Sequence, residues 1–65
     1  MKISEIVIKL MSNKESLDYC ISVSKMGKKS VICESDVRVK KVLTQEEQNF
    51  LEENTEEISD IFRKM

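Results

Sequence analysis

Between Leu17 and Val42 the chain reads LDYCISVSKMGKKSVICESDVRVKKV, with its only glycine, Gly27, near the centre. Before the glycine, Leu17, Tyr19, Ile21 and Val23 alternate with Asp18, Cys20, Ser22 and Ser24. After it, Val31, Cys33, Val37 and Val39 hold odd positions, while Ser30, Glu34, Asp36, Arg38 and Lys40 hold even ones. A period of two is the pattern of a half-buried strand. The stretch therefore predicts a β-hairpin with strands at 17–24 and 28–34, and a third strand at 37–42.

The turn sets the register. A three-residue loop Lys25-Met26-Gly27 puts Gly27 in the left-handed position of a G1 bulge. Ile21 then meets Val31 and Tyr19 meets Cys33, with almost every apolar side chain on one face. A two-residue Met26-Gly27 loop sets Cys20 opposite Cys33 but sends Val31 to the polar face, so the first register is preferred. Glu34-Ser35-Asp36 is the natural break in the second run, because Ser and Asp favour turns. The alternative is one long strand whose far half pairs with another copy of the chain.

Helices flank this centre. Ile3, Ile6, Val7, Leu10 and Met11 make one helical stripe within a helix at 3–13, with Ile8 pointing away; Ser4 as its cap would make Ile3 a flanking contact. A second helix at 45–64 opens on Thr44 and Glu47, the pattern of a capping box. Glu46 and Glu47 in its first turn and Arg63 and Lys64 in its last complement the helix dipole. Phe50, Leu51, Ile58, Ile61, Phe62 and Met65 form its apolar stripe, interrupted by Asn54. The expected fold is a single α+β domain over residues 1–65, of order α-β-β-(β)-α, with two amphipathic helices covering one sheet face.

Such a chain buries only about 60% of its unfolded surface, and small scaffolds usually need a staple or a partner. Four apolar residues are left over from the stripes: Ile8, Cys20, Ile32 and Val42. Together with the long second run, they predict a homodimer. The first residues lack a signal-peptide pattern, because Glu5 and Lys9 break the apolar run. No stretch approaches the roughly 20 apolar residues of a membrane span. A cytoplasmic location without membrane contact is expected, with two free thiols rather than a bridge. Cys33 is expected in the core and Cys20 outside it.

Most of the residues that catalysis needs are missing. The chain holds no histidine, no Gly-rich phosphate loop and no Ser or Cys with a visible base. Two cysteines alone fall short of a structural zinc site. No enzyme activity, metal or cofactor is expected. Two binding surfaces remain. Glu46, Glu53, Glu57 and Asp60 project from one side of the last helix, a row able to bind a basic protein or mimic nucleic-acid phosphates. Small inhibitors from phages and mobile elements often work this way, an analogy of size and charge only. The expected function is a protein-binding regulator or inhibitor acting on a nucleic-acid-handling protein. The alternative is a nucleic-acid-binding accessory protein with a basic hairpin, using Lys25, Lys28, Lys29, Arg38, Lys40 and Lys41. Against it, the three aromatics Tyr19, Phe50 and Phe62 all fall on presumed core faces, leaving no stacking platform.

Overall fold

Asn13 decides the course of the middle of the chain. Its side-chain Oδ1 accepts the Ser16 N–H at 3.2 Å, which caps a helix rather than closing a turn. The computed structural model describes residues 1–27 and 30–65. Among these residues the chain forms α1 (Ile3–Met11), α2 (Lys14–Lys25), α3 (Val37–Lys40), α4 (Gln45–Glu53) and α5 (Thr55–Arg63), with no strand. The expected α+β fold is thereby overturned. Residues 17–24 lie inside α2, residues 30–33 have no regular structure, and 37–42 hold the single turn α3 and the bend after it. The part of the expected second strand at Lys28 and Lys29 falls outside the described residues.

The alternation misled because the buried face of α2 is made of its smallest residues. Ser16, Cys20 and Ser24, spaced four apart on one helical stripe, are fully buried. Leu17 and Ile21 flank that seam on one side and Tyr19 and Val23 on the other, all four only partly buried. Odd-numbered apolar residues thus border a floor of small even-numbered ones, which imitates a period of two. The small side chains let α2 lie close along α5, the most extensive helix pairing in the molecule. Ser16 Oγ donates to the Leu10 carbonyl at 2.5 Å, so one hydroxyl of the seam also ties α2 to α1.

Ile6, Val7 and Leu10 of α1, Val39 of α3, Leu51 of α4, and Ile58 and Phe62 of α5 meet Cys20 in one core. Leu43 and Ile32 complete it from outside the helices. Ile32 was expected to be left over from the apolar stripes, yet it is buried and its N–H donates to Ser59 Oγ at 3.1 Å. The thiols exchange places relative to expectation: Cys20 is buried and Cys33 exposed, both free. Burial pushes the Cys20 thiol up to about 12.

The outer helices follow the sequence more closely. Ile8 is 66% exposed, as its off-stripe position requires, and Met11 at the stripe's edge is also exposed. Ser4 lies inside the first turn rather than capping it, and α1 ends two residues earlier than expected. Thr44 and Glu47 form the capping box: Thr44 Oγ1 accepts the Glu47 N–H at 3.2 Å and the Glu47 carboxylate accepts the Thr44 N–H at 2.8 Å. The expected helix 45–64 is broken at Asn54, whose backbone (φ −123°, ψ 26°) leaves the helical region. Asn54 Nδ2 donates to the Phe50 carbonyl at 2.9 Å, a second bond on an acceptor that also takes the Asn54 N–H at 3.1 Å. Ile61 and Met65, expected in the stripe, stay substantially exposed after the break. Gly27 does not have positive φ, so the left-handed turn that the hairpin required is absent.

Arg63 closes the structure. Its Nε donates to the Ser24 carbonyl at 2.7 Å and its Nη2 to the Ser30 carbonyl at 3.0 Å, while Nη1 pairs with Asp60. A side chain on α5 therefore caps the end of α2.

Candidate binding surfaces on the helix exteriors

Residues 44–65 hold seven of the chain's twelve carboxylates but two of its eleven cations. The helix phase decides which of them reach solvent. Leu51, Ile58 and Phe62 turn inward, so Glu46, Glu52 and Glu53 of α4 and Glu56, Glu57 and Asp60 of α5 lie exposed. The four carboxylates expected to form one row are divided by the break at Asn54. Glu46 and Glu53 share one face of α4, seven residues apart, and Glu57 and Asp60 belong to α5. At the break the row folds round a hollow of about 230 Å³ lined by Glu52, Glu53, Asn54, Thr55, Glu56 and Glu57. Of the four row members only Asp60 has an ion-pair partner among the described residues, Arg63.

Glu47 belongs to the architecture and not to this surface. It is buried, completes the Thr44 cap, and pairs with Lys9 of α1. The hydrogen bond from Lys9, with further support from the Thr44 N–H, holds its carboxyl below the usual carboxylate range.

The basic hairpin of the alternative reading does not exist among the described residues. Lys25 ends α2 and its Nζ donates to the Met65 carbonyl at 2.6 Å. Arg38 and Lys40 lie on α3 and Lys41 just after it, where Lys41 approaches Glu15 at 3.9 Å. Lys25 and Glu15 stand ten residues apart on α2, roughly 15 Å along its axis, so these cations sit at opposite ends of that helix. Lys28 and Lys29 lie outside the described residues. Of the four cations described, only Lys40 lacks a hydrogen-bond or ion-pair partner among the described residues.

A second surface escaped sequence reasoning. Glu15, Asp18, Tyr19 and Ser22 line one side of α2, at spacings of three, four and seven residues from Glu15, and Arg38 of α3 faces them. Between them runs an open groove of about 410 Å³. Tyr19, expected in the core, forms part of its lining: the phenol oxygen accepts the Cys33 N–H at 3.0 Å, and the Arg38 guanidinium lies 4.2 Å over the ring. Burial raises the Tyr19 phenol above its ordinary value. Arg38 Nε and Nη2 each donate to Asp36 at 2.9 Å. That hydrogen bonding holds the Asp36 carboxyl below its ordinary value. Asp36 is also the cap of α3, accepting the Arg38 N–H at 2.9 Å. The usable signal in the sequence was the helical spacing of 15, 18, 19 and 22, hidden by the strand assignment.

Among the described residues no three Cys, Asp or Glu side chains converge as a metal site requires. No helix among the described residues is long and apolar enough to cross a membrane. Comparison with protein-family models, with curated proteins and with solved structures finds no match.

Proposed function

We propose that this protein is a non-enzymatic regulator that works by covering a basic surface of another protein with the exposed carboxylates of α4 and α5. The partner class that fits best is a nucleic-acid-handling protein, whose phosphate-binding surface the carboxylates would occupy. The observation that carries the reading is the segregation of charge: six exposed carboxylates on two consecutive helices, with Arg63 and Lys64 as the only cations there. Charge arranged this way steers encounter with an oppositely charged surface and makes the association sensitive to salt. The apolar residues of the same helices are largely committed to the core, so recognition rests on the carboxylates rather than on a hydrophobic anchor.

The homodimer has less to recommend it than its sequence argument did. Cys20 and Ile32 are buried within one chain, Val42 packs on the same core, and no unpaired strand is present among the described residues. Ile8 alone of the four leftover apolar residues is freely exposed.

The test is affinity capture from the source cell with the wild-type protein and with a Glu53→Lys/Glu57→Lys variant, both checked for native helicity. The expected result is a basic protein retained by the wild type, released by salt and lost with the variant. That protein's nucleic-acid binding should fall when the wild-type chain is added. Equal capture by both proteins, or direct binding of nucleic acid by the chain itself with a steep salt dependence, would overturn the reading.

A further inference from the structure

The groove between α2 and α3 is separate from the acidic α4–α5 surface and is built differently. Its lining includes the Tyr19 ring, held by the Cys33 N–H on the phenol oxygen and by the Arg38 guanidinium over the face. Along the α2 side stand Glu15 and Asp18, both exposed and one helical turn apart. Lys41 approaches Glu15 only at 3.9 Å, with both side chains more than half exposed, an ion pair of little strength. Asp18 has no ion-pair partner among the described residues. Arg38 spends Nε and Nη2 on Asp36, which leaves the Nη1 edge without a partner among the described residues. The groove thus offers anionic acceptors on one side and a fixed donor on the other. Its volume of about 410 Å³ lies within the range of small-ligand sites.

We propose that this groove receives one arginine residue of a partner protein, with the side-chain guanidinium between Glu15 and Asp18 and the arginine's own main-chain carbonyl on the open edge of Arg38. The geometry favours arginine over a simple ammonium. A planar guanidinium can give parallel N–H bonds to a carboxylate and lie flat beside a tyrosine ring, the arrangement Arg38 already makes with Asp36 and Tyr19. A phosphate or nucleotide is disfavoured by the two carboxylates. The inference rests on the reading that the partner is a basic protein, and it assigns one of that partner's side chains to a defined position.

Chemical-shift mapping of the full chain tests it, with the blocked peptide acetyl-Ala-Arg-Ala-amide as the probe. Its citrulline analogue keeps the shape without the charge, and its lysine analogue keeps the charge without the plane. The expected result is saturable shifts at Glu15, Asp18, Ser22 and Arg38, strongest with arginine, weaker with lysine and absent with citrulline. Glu15→Gln and Asp18→Asn, both at exposed positions, should each weaken binding by up to about fivefold. Equal shifts from the citrulline peptide, or no shifts in the groove, would overturn the proposal. Shifts confined to α4–α5 would also overturn it while leaving the acidic-surface reading intact. Shifts in the groove with α4–α5 unaffected would separate the two in the opposite direction.

Discussion

The seam between α2 and α5 places two buried serines in opposite situations, so one substitution made twice should change stability with opposite signs. Ser59 Oγ accepts the buried Ile32 N–H at 3.1 Å. Alanine there leaves that amide unpaired, at a loss of about 1–3 kcal/mol, against which the better helix propensity of alanine returns roughly 0.5 kcal/mol. Ser24 Oγ is fully buried and has no partner among the described residues. Alanine there removes an unsatisfied hydroxyl, with relief of about 1 kcal/mol or more, and the propensity gain adds to it. Ser24→Ala should therefore stabilise by about 1–2 kcal/mol, and Ser59→Ala should destabilise by about 1–2 kcal/mol. For a domain whose total stability is on the order of 3–10 kcal/mol, either change is large. Urea unfolding followed by far-ultraviolet circular dichroism reads both. With an m-value near 1 kcal/mol/M, the midpoints should move apart by about 2–4 M. Loss of stability in Ser24→Ala, or a silent Ser59→Ala, would refute the hydrogen-bond assignment of the seam.

Three further outcomes follow from the same structure. Glu47 is held below the usual carboxylate range, chiefly by Lys9. Its contribution is complete above the unfolded value of about 4.3 and is lost as pH falls through the lower folded value. The urea midpoint should drop on acidification below about pH 4.3, and Glu47→Gln should flatten that drop in a pH series. A native thiol titration should find one reactive cysteine per chain, Cys33, with Cys20 reacting only after denaturation, since Cys20 is fully buried with its thiol pushed up to about 12. Gly27→Ala should be neutral or stabilise by up to about 1 kcal/mol in thermal melts, because the glycine lacks positive φ and, among the described residues, an added methyl meets only Ser30 Oγ at 3.7 Å.

How much of this was legible depends on what filled each helix's inner face. In α1 large apolar residues fill it, so the period of 3.6 was plain and Ile8 could be placed outside. In α2 the inner face is Ser16, Cys20 and Ser24, which no hydrophobicity pattern marks as buried. The overlooked signals were the ends: Asn13 as a cap, Glu15 in the first turn and Lys25 in the last. Around Val31 the error was of a different kind. Ile32 enters the core from an irregular segment because Ser59 satisfies its N–H, a tertiary fact with no local trace. The acidic α4–α5 surface was readable because exposure on an amphipathic helix follows from phase alone. The break at Asn54 carries no glycine or proline to announce it. The α2–α3 groove joins Tyr19 to Arg38 across nineteen positions, and only the corrected helix brings them together.

The grip of Arg63 on the carbonyls of Ser24 and Ser30 reaches back 39 and 33 residues. Most small helical proteins gather speed from neighbours in sequence, each hairpin of helices closing on itself before the next is made. Here α1 and α2 can meet early through Ser16 and Leu10, but α2 finds its main packing partner only in α5. During synthesis, α2 would leave the ribosome with its serine seam still open to water, its last turn uncapped until residue 63 arrives. Closure of that long loop sets the order of events: α2, the second helix made, waits for α5, the fifth, and the chain stays vulnerable to proteases in the interval.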